Sequence, residues 1–256
     1  IIKGRDCSMK RNTKEALDTI LQNLDTGDFI DHDPITIPKR FTSKEDIEIS
    51  AFLAATIAWG QRVTIINNGN KLMHWMGEEP YRFLLEHKPS DLKPFGTFVH
   101  RTMNGTDALY FIEVLSRWYK DGKSVEDFFV GNTMKDRISN FHQSFFEYDF
   151  APARTRKHVA NPAKNSSAKR LNMYLRWMVR NDGLDFGIWK SIKPAELKCP
   201  LDVHVQRASF HFGLLKRKQQ DWKAVEELSD NLVRLDSIDP IKYDLALFKW
   251  SESRMK

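Results

Sequence analysis

"KCPLDVHVQRASFHFGLL", residues 198–215, changes its period in the middle. As a strand it would set Leu201, Val203 and Val205 against a core and leave Asp202 and His204 in water, making the aspartate an ordinary surface group. As a helix beginning at Asp202 it places Val205, Ala208, Phe212 and Leu215 on one apolar stripe at spacings of three and four. Asp202 is then the N-cap, a carboxylate held in place by the turn it closes. The neighbouring segments favour the helix, because helical periodicity runs through almost the whole chain. The expected class is all-α.

Upstream, "TKEALDTILQNL" carries Ala16, Ile20 and Leu24 on one face, and "DFIDHDPITIPKRFTS" reads as an extended link stiffened by Pro34 and Pro38. Thr42 and Glu45 form a capping-box pattern before "SKEDIEISAFLAATIAWG", whose apolar run from Ile47 to Trp59 is too continuous for a surface helix and predicts a central one. "RVTIINNGNKLMHWMG", "PYRFLLEH" and "TDALYFIEVLSRWYK" read as further helices, the first two separated at Gly77 and Pro80. "SVEDFFV" and "MKDRISNFHQSFFEY" continue the pattern.

The window "APARTRKHVANPAKNSSAKR", residues 151–170, holds Arg154, Arg156, Lys157, Lys164, Lys169 and Arg170 without an Asp or Glu. It runs into the helix "LNMYLRWMVRND", with Leu171, Tyr174, Leu175 and Met178 on one side. A polar turn delivering basic side chains to a helix start binds anions by charge and by free backbone N–H groups. A solvated basic loop fits the same residues.

The 256 residues, 41% hydrophobic and 12% aromatic, predict a chain folded throughout, and the net charge of +6 favours an anionic partner, nucleic acid before an anionic membrane surface. Two cysteines, Cys7 and Cys199, supply neither a disulfide framework nor a four-cysteine metal or iron–sulfur site. "DHD" at 31–33 and "DVH" at 202–204 lack the further ligands that would complete a metal site, so neither metal nor cofactor is expected. No apolar run approaches the roughly 18–20 residues of a membrane span, and the first residues lack the apolar core of a signal peptide. The expectation is a soluble, cytoplasmic protein.

A polar turn, a lysine in the first turn of a helix and an aspartate opening a later helix occur here in the order found in the helix-hairpin-helix glycosylases of base excision repair. "LDVHVQRASFHFGLL" resembles that superfamily's aspartate motif, of the type "VDTHV", with Arg207 and "GLL" in matching places, and "SAKRLN" at 167–172 resembles its hairpin exit. The sequence departs from the pattern in three ways. Asn165 and Ser167 stand where hairpin glycines are expected; 33 residues separate Lys169 from Asp202; and the iron–sulfur cysteines are missing. The long interval and divergent hairpin are similar to the archaeal type of 8-oxoguanine DNA glycosylase. More broadly, "DPITIPKRF", "ISAFLAATIAWGQR" and "RTRKHVANPAKNSSAKRLNMYLRWMVR" resemble an uncharacterised bacterial family of the DUF2400 type, over nearly the whole chain.

The resemblance implies a two-lobed helical fold with a cleft between the lobes. Residues 1–256 would form a single glycosylase-like unit, with lobes at 1–40 plus 200–256 and at 41–199, the second containing the hairpin. It implies Lys169 as nucleophile, forming a Schiff base that permits β-elimination, and Asp202 as the carboxylate that stabilises the sugar cation and moves protons. The helix N-terminus, Arg170 and partial burial would each favour loss of the lysine proton. The pair must then share one site, within about 10 Å. Arg154, Arg156, Lys157, Lys164, Asn165, Ser167, Arg170, His204 and Arg207 are the candidate DNA contacts, although His204 also suits a core position. For a flipped base the candidates are Gln61, Trp59, Asp244 and Phe248, with Trp177 and Trp250 as further rings. Gln61 also reads as a plain helix boundary and the tryptophans as core. The implied partner is double-stranded DNA containing a damaged base, such as an oxidised purine, met by a monomer that acts at the nucleoid and not at a membrane. A catalytically silent nucleic-acid-binding protein of the same fold, or a glycosylase for another lesion, is the alternative.

Overall fold

A computed structural model of the chain describes residues 2–254, the side chains of 2–11, 26, 28 and 29 excepted. Cys7 therefore lies outside the described side chains. Helices follow one another almost without interruption: α1 (Ile2–Gln22), α2 (Thr26–Asp31), α3 (Lys44–Thr56), α4 (Arg62–Trp75) and α5 (Pro80–Glu86). A two-residue-per-strand hairpin follows, β1 (Val99–His100) paired antiparallel with β2 (Met103–Asn104). The rest is α6 (Gly105–Lys120), α7 (Met134–Phe145), α8 (Lys169–Val179), α9 (Val203–His211), α10 (Trp222–Val233) and α11 (Tyr243–Ser253). The protein is all-α in class. Among the described residues no helix is long and apolar enough to cross a membrane.

Two compact units divide the chain, a terminal unit of residues 1–26 and 164–256 and a central unit of 27–163. The expected boundaries near 40 and 199 differ from these at both places. Residues 164–199 belong with the chain ends because the turn before α8 bonds to the start of α10 and α8 pairs with α11, through Asn165–Asp221 and Arg176–Asp244. Residues 27–40 belong to the central unit because Ile35 and Ile37 are core. The segment expected to be an extended link forms two 3-10 turns, Pro34–Thr36 and Pro38–Arg40, with Ile35 and Ile37 fully buried. Asp33 closes the first turn by accepting the Ile35 N–H at 3.0 Å. A Cβ on Gly69 of α4 would stand 2.1 Å from Ile37 Cδ1, so that glycine is what admits the isoleucine.

In the central unit α3 is buried from Ile47 to Thr56, as its continuous apolar run predicts. Its cap lies one residue later than expected: Ser43, not Thr42, accepts the Asp46 N–H at 3.1 Å. Asp46 is fixed on its other side by the Tyr81 N–H at 2.8 Å. The buried Glu48 carboxylate accepts from Tyr119 Oη and from the N–H groups of Val125 and Glu126, at 3.1 and 3.3 Å. That pull explains why "SVEDFFV" forms only a 3-10 turn, Glu126–Phe128, and not a helix. Phe52, Phe111, Phe141 and Phe145 pack around one another at ring separations of 4.7–5.8 Å.

In the terminal unit α11 packs against α9 and α1. The two ends of the chain are joined by Tyr243, whose hydroxyl donates to Asp18 Oδ1 at 2.9 Å and accepts from Lys14 at 3.1 Å. Leu228, Leu232, Leu175 and Leu247 form part of a core that excludes water completely around them. This frame carries α8 and α9, and with them Lys169 and Asp202.

Candidate active site

The turn before α8 holds two residues in the left-handed region, Asn165 (φ 62°) and Ala168 (φ 48°). Asparagine tolerates that conformation; in alanine it crowds the Cβ. The strained position is therefore Ala168 and not Ser167, where a hairpin glycine was expected. The turn is held from outside. Asn165 Nδ2 donates to Asp221 Oδ2 at 3.1 Å, Ser166 forms a β-bridge with Asp221, and the Trp222 N–H donates to the Asn165 carbonyl at 3.3 Å. Inside the turn, the Ala168 N–H donates to Ser166 Oγ at 3.2 Å, and Asn172 Nδ2 donates to the Ser167 carbonyl at 3.0 Å.

Lys169 is the first residue of α8 and Asp202 is the N-cap of α9, with extended backbone (φ −122°, ψ −173°). Asp202 Oδ1 accepts the N–H groups of His204 and Val205, both at 2.9 Å. Oδ2 is turned the other way, and Lys169 Nζ lies 3.4 Å from it. The side chains are 33% and 20% exposed, so the pair is reachable from solvent yet largely walled. One oxygen serves the helix and one is presented to an amine. Such a carboxylate can hold or accept a proton on that amine and stabilise positive charge forming beside it.

Behind the pair lies a line of buried charge. The Cys199 thiol, fully buried three residues before Asp202, lies 3.8 Å from Asp244 Oδ1, and its N–H donates to Ser229 Oγ at 3.0 Å. Asp244 Oδ2 receives Arg176 Nη1 at 2.5 Å. Arg176 Nε stands 3.4 Å from Asp185, which Arg180 Nη1 meets at 2.6 Å, while Arg180 Nε and Nη2 grip Asp239 at 2.8 and 2.9 Å. Burial raises the Asp244 carboxyl above its usual range, opposed by Arg176 and reinforced by Asp202. Burial likewise raises the Cys199 thiol, with Asp244 and Asp202 adding to it. Lys169 and Arg176 lie seven residues apart on α8 and Arg180 caps its C-terminus, so one element carries both the part-exposed amine and the buried cations. The sequence marks Cys199 only as one of two cysteines and does not point to Arg176, Arg180, Asp185 or Asp221. The signal available was the pair of arginines four apart inside an apolar helix.

The other candidates divide between the two units. Asp244 is buried at 6% exposure with its oxygens engaged by Arg176 and Cys199, so it braces the segment leading to Asp202 and does not reach outward. Phe248 is half-buried beside the His204 ring, 5.3 Å centre to centre, and His204 Nδ1 is buried with no hydrogen-bond partner. Trp250 stacks on His211 at 4.3 Å, and Trp177 is fully buried, which makes it core and not a stacking surface. Arg207 and Lys164 are exposed, and burial pushes the Arg170 guanidinium down to about 10.

In the central unit, Gln61 is exposed at the N-terminal boundary of α4 and makes no capping bond with its side chain. Trp59 stacks on His158 and meets His100 edge-on, at 5.9 and 4.7 Å. Arg154 is drawn inward, since it pairs with the buried Asp107 at 2.6 Å and bonds to Asn104 and the Thr102 carbonyl. Arg156 donates to the Phe146 carbonyl at 3.1 Å and lies over that ring, and Lys157 is exposed. Among the described residues no group of three or more His, Cys, Asp or Glu side chains is arranged to hold a metal ion.

No curated protein and no solved structure matches the chain. A family model does, across residues 33–253, a span that includes α3 to α11, the turn at 165–168 and both Lys169 and Asp202. The chain belongs to DUF2400, a family of proteins of unknown function.

Proposed function

We propose that the protein is a DNA glycosylase with β-lyase activity, acting on an oxidised purine such as 8-oxoguanine. The observation that carries the reading is the presentation of Lys169 Nζ, 3.4 Å away, to the one Asp202 oxygen that α9 leaves free. With it goes the helix-hairpin-helix glycosylase fold, of which the turn at 165–168 and the start of α8 are the supporting part.

Asp202 first takes or holds a proton from the Lys169 ammonium. The neutral amine attacks the sugar C1′ as the C1′–N bond breaks, and the bond electrons leave with the base. Oδ2 faces the positive charge that grows at C1′ in that step. Opening of the sugar ring gives a Schiff base on Nζ; loss of a C2′ proton then expels the 3′ phosphate, and water releases the enzyme. Phe248 and His204 offer ring faces beside the pair for an extruded base, whose unstacking costs a few kcal/mol.

Borohydride trapping on 8-oxoguanine duplex DNA tests the reading. A covalent adduct is expected with the wild type and with Lys164→Gln, and none with Lys169→Gln. Tight duplex binding without adduct or base release across a panel of lesions would overturn it in favour of a silent DNA-binding protein of the same family.

A further inference from the structure

The hairpin does not stand alone on its surface. Asp221 is bonded to Asn165 and bridged to Ser166, and this brings the loop between α9 and α10, "KRKQQDWK" at 216–223, against the turn that precedes Lys169. Asp221 is the only acid in that loop, and Arg217 neutralises it with Nε at 2.7 Å and with Nη2. On α10 Glu226 accepts from Trp222 Nε1 at 2.8 Å, and the Glu227 oxygens are turned to the N–H groups of Lys216 and Arg217, at 2.8 and 3.3 Å. The loop is fastened to α9 as well, since Gln206 Nε2 donates to the Lys218 carbonyl at 2.9 Å and Gln206 Oε1 accepts from Gln220 Nε2 at 3.0 Å. Lys216, Lys218 and Lys223 remain exposed, as does Lys164 on the other side of the Asp221 contact. The backbone under these lysines is thus fixed while their ammonium groups stay in solvent. A polyanion with regularly spaced charges loses little entropy in binding such an array and releases its own counterions as it does so.

We propose that Lys216, Lys218 and Lys223 form, with Lys164 of the hairpin, one phosphate-binding surface that grips the backbone of duplex DNA beside the Lys169–Asp202 pair. This inference rests on the reading of the chain as a protein that acts on duplex DNA, but not on its cleaving a base. Arg217 takes no part in the grip: its guanidinium is committed to Asp221, and the two together latch the loop to the hairpin. The surface sets position and register on the duplex and reads no sequence.

The test is the salt dependence of binding of the full chain to a short labelled duplex without any lesion, followed by fluorescence anisotropy. Replacing Lys216, Lys218 and Lys223 together by Ala should flatten the slope of log K against log salt by about 2–3, or about 0.9 for each phosphate left without its lysine. The triple Arg variant should keep the wild-type slope. A control triple of exposed lysines in the central unit, Lys88, Lys93 and Lys120 to Ala, removes the same charge and should leave the slope within about 1 of wild type. Equal flattening in both Ala triples reduces the effect to net charge and overturns the proposal, and so does a wild type whose duplex affinity ignores salt. Lysine-dependent binding that favours single-stranded RNA over the duplex overturns it in favour of that partner. Duplex binding that follows these expectations, with neither borohydride adduct nor base release across the panel of lesions, would refute the glycosylase reading and leave the surface standing.

Discussion

The mouths of α9 and α10 begin from the same local structure. Asp202 and Asp221 are both N-caps with extended backbone, and each gives Oδ1 to main-chain N–H groups of the turn it closes. They part at the second oxygen. Asp221 Oδ2 is taken by Asn165 and Arg217, and Arg217 also reaches Oδ1, so that every direction of the carboxylate is used within the fold. Asp202 Oδ2 faces the Lys169 amine, itself one-third exposed. A capping aspartate is structural when its spare oxygen is consumed by the chain and available for chemistry when that oxygen meets a movable, accessible group. Residue type and capping role do not distinguish the two.

Replacing each aspartate by Asn is the sharpest way to break this comparison, and it carries the largest effect. An Asn amide oxygen still caps α9, so Asp202→Asn should melt within about 2 °C of wild type while borohydride trapping falls by about 10²–10⁴, the usual loss for an acid–base group. Asp221→Asn keeps its cap but loses the charge that holds Arg217, and its Tm should fall by about 3–6 °C. Trapping at saturating duplex should drop less than tenfold in that variant. If Asp202→Asn instead lowers the Tm by about 3–6 °C and leaves trapping intact, the two caps have been assigned the wrong way round.

The same contrast explains what could be read from the sequence. Asp202 is legible as an N-cap because its partners, the N–H groups of His204 and Val205, lie two and three residues away. Lys169 is legible in the first turn of α8 because the apolar period of that helix begins two residues later, at Leu171. The Asp221 latch joins residues 56 apart, and the Arg176–Asp244 pair joins residues 68 apart, distances over which periodicity carries no information. By spacing alone Arg176 is simply a cation in a helix, and only the folded chain shows it buried with two carboxylates around it. The turns at Pro34 and Pro38 escaped for a related cause: proline breaks the period, and the burial of Ile35 and Ile37 depends on a gap left by Gly69.

Acid titration separates the buried charges of α8 from the Asp221 latch. Burial pushes the Asp185 carboxyl up to about 6, against the pull of Arg176 and Arg180. Because this lies above the unfolded value near 4, the folded chain holds the proton more tightly. The stability Asp185 contributes is complete below about pH 4 and is lost as pH rises through about 6. Asp221 runs the other way. Arg217 holds its carboxyl below the usual range, so its contribution is present above about pH 4 and is lost on acidification. Urea unfolding of wild type against Asp185→Asn from pH 4 to 7, and against Asp221→Asn below pH 4, should give difference curves of opposite slope. A flat Asp185 curve would mean that its two arginines fully compensate burial.

The smallest effect concerns the turn that the latch restrains. Ala168 is held left-handed, which costs an L-residue about 1–2 kcal/mol, and its methyl is buried at 1% exposure. Ala168→Gly removes the strain but also about 0.8 kcal/mol of burial and a similar amount through the freer unfolded chain, so the net change should lie within about 1 kcal/mol of zero. Ala54, equally buried inside α3, supplies the control. There glycine loses the same methyl and the same entropy with no strain to relieve, and should cost about 2 kcal/mol. The difference between the two variants, read by denaturant midpoint at constant m, measures the backbone strain that Asp221, Asn165 and Trp222 hold in place. Equal losses at the two sites would show an unstrained turn, and the hairpin would then need no latch: Asp221 would be a plain cap, no different in kind from Asp202 without its lysine.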